Sequence, residues 1–197
     1  MKRILVTIFL IVVLTTSVSA QSYNRLGLKA GVNMFQWYGD EVEGLDYLTS
    51  FAFGAYYCHG FSDVFALQPE LYYSIKGVSY SEILTIDVKQ GYIEIPVLLK
   101  VNFPLEGKSW SPNLFAGPYM AFLMSAKIED VDVKDEFAGT DFGLVVGGGF
   151  DFGLSEGQQT LSLDIRYSVG FTTLDEEGDE EAMNNGFQFL VGFGFSL

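Results

Sequence analysis

The chain has 197 residues, 25 carboxylates against 11 lysines and arginines, and a formal charge of −14, yet 49% of it is hydrophobic. This acidity excludes nucleic-acid binding, which needs a basic footprint, and simple electrostatic adhesion to an anionic membrane surface. The single cysteine, Cys58, excludes an intrachain disulfide. No segment beyond the first twenty residues reaches the roughly 18 apolar residues of a membrane-spanning helix.

The first twenty residues read as a cleaved signal peptide. Lys2 and Arg3 form a positive start, Ile4 to Leu14 an apolar stretch, and Val18-Ser19-Ala20 a small-residue cleavage site, so the mature chain is expected to begin at Gln21. The remaining 177 residues (197 less 20) suit one domain, 21–197, with nine cations against 25 carboxylates and a charge of −16. An exported, apolar chain without spanning helices has one route into lipid that satisfies its own backbone, a closed barrel.

The rest of the chain alternates with a period of two, the mark of strands. Strand one is expected from about Leu26 to Phe35, with Lys29 on the face opposite Leu28 and Ala30. A loop, Trp37 to Leu48, leads to strand two, Ser50 to Cys58, in which Phe51, Phe53 and Tyr57 oppose Ala52, Tyr56 and Cys58. A turn at 59–63 leads into strand three, Phe65 to Lys76, which sets Gln68, Glu70, Ser74 and Lys76 on one face and predicts a bulge at Pro69. After a loop from Gly77 to about Gln90 comes the clearest strand, Tyr92 to Val101. There Ile93, Ile95, Val97, Leu99 and Val101 form one apolar face, and Glu94 and Lys100 lie on the other.

The turn 102–111 precedes strand five, Asn113 to Lys127. Placing Lys127 inward there also puts Gly117, Tyr119, Ala121 and Ser125 inward. A loop, Ile128 to Gly139, leads to strand six, with Asp141 and Asp151 opposite Phe142, Phe150 and Phe152. After the turn 155–158, strand seven sets Asp164 and Arg166 opposite Leu163, Ile165 and Tyr167. The loop 172–185 then precedes strand eight, 186–197. The four long loops carry 17 of the 25 carboxylates and the three short turns carry three. Even strand number and alternating long and short connections indicate an all-β, eight-stranded antiparallel up-and-down transmembrane barrel. Aromatic girdles are expected from Tyr23, Phe35, Trp37, Phe103, Trp110, Phe137 and Phe171.

A soluble lipocalin-like barrel would alternate in the same way, with its apolar face inside. The polar face argues against it. It carries only ten charges over eight strands, where a soluble surface wants about a quarter to a third of its residues charged. Those ten are balanced: Lys29, Lys76, Lys100, Lys127 and Arg166 against Glu70, Glu94, Asp141, Asp151 and Asp164. Balance suits a closed interior, where an unpaired ion is costly.

Three stretches, Gln68-Pro69-Glu70-Leu71-Tyr72-Tyr73-Ser74, Tyr92 to Lys100, and Ala116-Gly117-Pro118-Tyr119, resemble the PorT-like outer-membrane β-barrel proteins of Bacteroidetes. The resemblance spans the mature chain and implies an OmpX/OmpA-like eight-stranded barrel of the porin family in the outer membrane, with both termini periplasmic. It implies no single activity. PorT itself is associated with type IX secretion. The ending Phe195-Ser196-Leu197 departs from the terminal aromatic common in such barrels.

Two sets of residues carry chemistry. Lys29, Glu70, Lys76, Glu94, Lys100, Asp164 and Arg166 are expected to form a lumenal ion-pair network, as a structural plug rather than a conduit. Asp130, Asp132, Asp179, Glu180 and Glu181 are the densest loop carboxylates and candidates for loop interactions, though without the ligand spacing of an EF-hand. His59, the only histidine, falls in a short turn and is not read as catalytic, and Gly147-Gly148-Gly149 lacks the lysine and helix of a phosphate loop. No cofactor is expected. The expected function is a non-enzymatic outer-membrane barrel with a structural, binding or accessory role. Its partners are outer-membrane lipid and an envelope protein. A small-solute channel and a component of a secretion assembly are the alternatives.

Overall fold

The computed structural model describes residues 22–39, 45–81, 85–129, 131–154, 157–175 and 182–197. The expected signal peptide, residues 1–20, lies outside them. Among the described residues nine strands form one sheet: β1 (Tyr23–Tyr38), β2 (Asp46–Gly60), β3 (Phe65–Ser81), β4 (Thr85–Asn102), β5 (Trp110–Ile128), β6 (Val131–Asp132), β7 (Thr140–Leu154), β8 (Gln159–Gly170) and β9 (Met183–Ser196). β6 is a two-residue ribbon on the end of β5. The other eight each pair antiparallel with their neighbours in the chain, and β9 returns to β1, so the barrel closes with up-and-down connectivity. Closure leaves no row of unpaired backbone groups facing lipid.

The two faces are inverted relative to a soluble protein. Leu28, Phe53, Leu71, Leu114, Ile165 and Val191 stand more than half exposed on the outside, while Lys29, Lys76, Lys100 and Arg166 are buried within. This is the arrangement hydrocarbon demands: apolar side chains toward the lipid and polar ones in the lumen. Eight strands enclose little space, and glycines make room for the long lumenal side chains. A Cβ on Gly192 would lie 2.6 Å from Cγ of Lys29, and one on Gly147 would lie 2.6 Å from the ring of Phe115. The run Gly147-Gly148-Gly149 therefore serves packing within β7.

Five expectations are corrected. Pro69 makes no bulge. Tyr56↔Glu70 and His59↔Leu67 keep one offset toward β2, as do Pro69↔Val97 and Tyr72↔Glu94 toward β4. A proline lacks one donor, and the ladder tolerates that without an inserted residue. Lys127 is not lumenal. Gly91 pairs Ser125 and Tyr92 pairs Leu123, so Met124 is an extra residue that reverses the faces beyond it. Gly117, Tyr119 and Ala121 do point inward, but Lys127 is exposed opposite Lys89 and Ser125 is only partly buried.

Phe35 and Tyr23 do not belong to the girdles. They share the phase of Lys29, which turns Phe35 fully into the lumen and packs Tyr23 against buried Tyr56, Cys58 and Ala66. The stretch Gly77–Gln90 is mostly strand, because β3 and β4 continue as a paired ribbon to Ser81↔Thr85. Finally, His59 lies within β2 rather than in a turn. Its Nδ1 is 2.7 Å from Oδ1 of Asn24.

On a detergent gel, unheated protein should run ahead of boiled protein. Gly192→Val should destabilise the folded band toward urea by about 1–3 kcal/mol through overpacking against Lys29. Lys127→Gln, which alters an exposed side chain, should leave the urea midpoint unchanged.

Candidate functional site

The alternation that exposes apolar side chains to lipid delivers ten charged side chains to the lumen, and they form three layers along the axis. The termini define one end, where Arg25 pairs with Ser196 and Tyr23 with Gly60. In the layer at this end, Lys100 donates to both oxygens of Asp151 at 2.8 and 3.1 Å, and Arg25 reaches the same carboxylate at 3.4 Å. At mid-barrel, Lys29 donates to Asp164 at 2.6 Å and to Glu70 at 3.3 Å. Arg166 forks onto Glu70 through both terminal nitrogens and donates to Asp164 at 2.8 Å, and Gln68 adds a 2.7 Å bond to Glu70. Nearer the long loops, Lys76 pairs with Glu94 at 2.8 Å and Asp141 at 3.4 Å, while the Tyr119 hydroxyl donates to Asp141 at 3.0 Å.

Aromatic rings complete the shells around the cations. Nζ of Lys76 lies 4.2 Å from the ring centre of Tyr119 and 5.2 Å from that of Phe35, and Lys29 lies 4.7 Å from that of Tyr56. The Arg166 guanidinium sits between the rings of Tyr72 and Phe115. Ring faces carry negative charge density and stabilise desolvated cations. A neutral amide chain runs beside the ions: Gln188 donates to Asn33, and Asn33 donates to Ser74 and the carbonyl of Ile75.

All seven residues expected in the network, Lys29, Glu70, Lys76, Glu94, Lys100, Asp164 and Arg166, are in it. Sequence reasoning missed Arg25. Its odd number puts it in phase with Lys29, but strand one was expected to start a residue later. With Arg25 in place of Lys127 the described residues again place five cations and five carboxylates in the lumen, each with an ion partner.

The long-loop end is covered by apolar side chains. Phe137 pairs its backbone with Asp175, Ala138 donates to the carbonyl of Leu174, and Leu174 donates to that of Ala182. Val133 and Phe137 pack onto the lumenal cluster that contains Tyr92, Tyr119 and Leu123. Of the expected loop carboxylates, Asp132 is exposed and caps a local turn, accepting from the Lys134 amide at 3.1 Å. Asp130, Asp179, Glu180 and Glu181 lie outside the described residues.

Removing one partner from the central layer leaves an uncompensated buried charge. Arg166→Met should therefore cost about 3–5 kcal/mol of stability. Adding Glu70→Gln should recover part of that loss, which a double-mutant cycle in urea unfolding would reveal as favourable coupling.

Comparison with solved structures gives the same architecture. Neisserial surface protein A superposes with a TM-score of 0.58 at 14% identity, covering 89% of this chain and 98% of its own. The outer membrane protein OprG from Pseudomonas aeruginosa gives 0.54 at 15%, covering 90% and 96%. Outer Membrane Protein W of E. coli gives 0.52 at 10%, covering 90% and 98%. Identities this low establish the fold alone. No curated protein matches the chain. Residues 19–176, most of the chain, match the family described as outer membrane protein beta-barrel domain. With its lipid-facing apolar surface and paired lumenal charges, the chain belongs to that outer-membrane β-barrel family.

Proposed function

We propose that the protein is a non-enzymatic barrel that acts through its acidic outer loops as a binding or accessory component of the envelope, with the lumen serving as a rigid strut. The observation that carries this is the pairing of all ten lumenal charges among the described residues with one another. Ions held in this way compensate one another and offer little to a passing solute. The carboxylates outside the lumen are concentrated at the long-loop end, where 17 of 25 lie in the long connections and the strand ends that adjoin them. In this reading the signal peptide is removed before Gln21. The termini and short turns face the periplasm, and the long loops face outward. His59 then lies at the periplasmic end, bonded to Asn24, away from any chemistry at the outer leaflet.

A second reading, as an accessory of a secretion assembly, draws on the PorT-like stretches and on the short-turn mouth. There a cavity of about 270 Å³ is lined by Arg25, Asn102, Lys108 and Asp151, a polar recess that a periplasmic partner could enter.

Photo-cross-linking in intact cells, from single reporters in the loops and in the short turns, tests both readings. Capture of a defined protein through the loops supports the first and capture through the turns supports the second. Planar-bilayer recordings test the strut. The folded protein should show no steady conductance. A current that falls when Glu94 or Lys100 is replaced by a neutral residue would instead make the lumen a small-solute channel.

A further inference from the structure

The long-loop mouth contains a cavity of about 390 Å³ that the ion network does not use. Its walls include Trp37, Phe137, Ile128 and Leu174, and it also carries two carboxylates, Glu136 and Asp175. The rings of Trp37 and Phe137 meet at 5.8 Å and 56°. The carboxylates stand on fixed backbone. Glu136 closes the 3-10 turn Lys134–Glu136, its amide bonded to the Val133 carbonyl at 3.1 Å, and Asp175 is bridged to Phe137. On the same loop Asp132 and Asp135 outnumber Lys134, while Lys89 and Lys127 flank the wall residues Val88 and Ile128 on the strand side.

We infer that this cavity is a binding site for a small organic ammonium ion carrying a short apolar substituent. The inference rests on reading the outer loops as the binding surface. Aromatic faces and carboxylates both favour a cation. The apolar walls favour one whose charge is spread over carbon, because a compact, strongly hydrated ion gains nothing from Ile128 and Leu174 in return for its lost water. An anion of the same shape would meet two like charges. The acidic loops would also raise the local concentration of cations and speed their arrival.

The test uses the folded full barrel in neutral detergent micelles. Trp110→Phe leaves Trp37 as the sole tryptophan, a reporter in the cavity wall. Butyltrimethylammonium should change Trp37 fluorescence saturably at constant ionic strength, and sodium pentanoate should not. Glu136→Gln combined with Asp175→Asn should weaken the ammonium response by about tenfold, a loss of about 1.4 kcal/mol shared by the two carboxylates. A gel shift on heating would show that the variant still folds. Equal responses to ammonium and pentanoate would reduce the site to an unselective apolar hollow and overturn the inference, a comparison that needs no carboxylate variant. A response that survives loss of both carboxylates, or no saturable response, would overturn it too. If the titration fails while the loops still capture a partner by cross-linking, the cavity assignment falls and the loop reading stands.

Discussion

Hydrocarbon around a closed sheet leaves a charged side chain in the membrane region only the lumen to occupy, and an eight-stranded lumen is nearly filled by side chains. A charge placed there exchanges water for other charges and rings. The ten lumenal ions therefore come as five of each sign, and carboxylates such as Glu70 and Asp151 are each shared by two cations. Glycine at positions 147 and 192 follows from the same constraint, since Phe115 and Lys29 need the space.

The balance is global but not local. The layer at the termini, with Arg25, Lys100 and Asp151, has one excess positive charge. The central layer of Lys29, Arg166, Glu70 and Asp164 is neutral, and the layer of Lys76, Glu94 and Asp141 has one excess negative charge. The barrel thus has an axial charge separation whose negative end adjoins the acidic loops. The excess positive charge sits in the partly exposed layer at the termini, where solvent lowers its cost, whereas the loop-side layer is as enclosed as the central one and relies on Lys76 and the Tyr119 hydroxyl to hold its two carboxylates.

Alternation made this architecture legible wherever the two faces differ in chemistry. In β4, Ile93 to Val101 against Glu94 and Lys100 fixes the phase without ambiguity, and the structure keeps it. The phase was lost where both faces are alike. In β5 the apolar run Phe122-Leu123-Met124 hides an inserted residue, so nothing in the sequence shows that Lys127 has crossed to the outside. Phe35 illustrates a different failure. Its phase with Lys29 was readable, but a large ring near a strand end also fits an interfacial girdle, and position outweighed phase. The ribbon of β3 and β4 beyond Gly77 was obscured by its polar residues. Ser79 and Asp87 look like loop residues, yet they bond to each other across the ladder at 2.8 Å.

The loop contacts at the mouth were not legible at all, because they depend on tertiary approach rather than periodicity. Phe137 and Leu174 lie far apart in sequence, in segments whose charge suggests solvent. Their burial follows from the geometry below them. Tyr92, Tyr119 and Leu123 belong to a buried cluster at the top of the lumen, and Val133 and Phe137 pack against it for the reason that any core forms. With ions paired within and apolar side chains over one end, the barrel presents at its long-loop end carboxylates held on hydrogen-bonded backbone around an aromatic recess. Under the proposed function, recognition depends on the loops at that end, while the strands supply the rigidity that keeps Trp37 and Phe137 in register with Glu136 and Asp175.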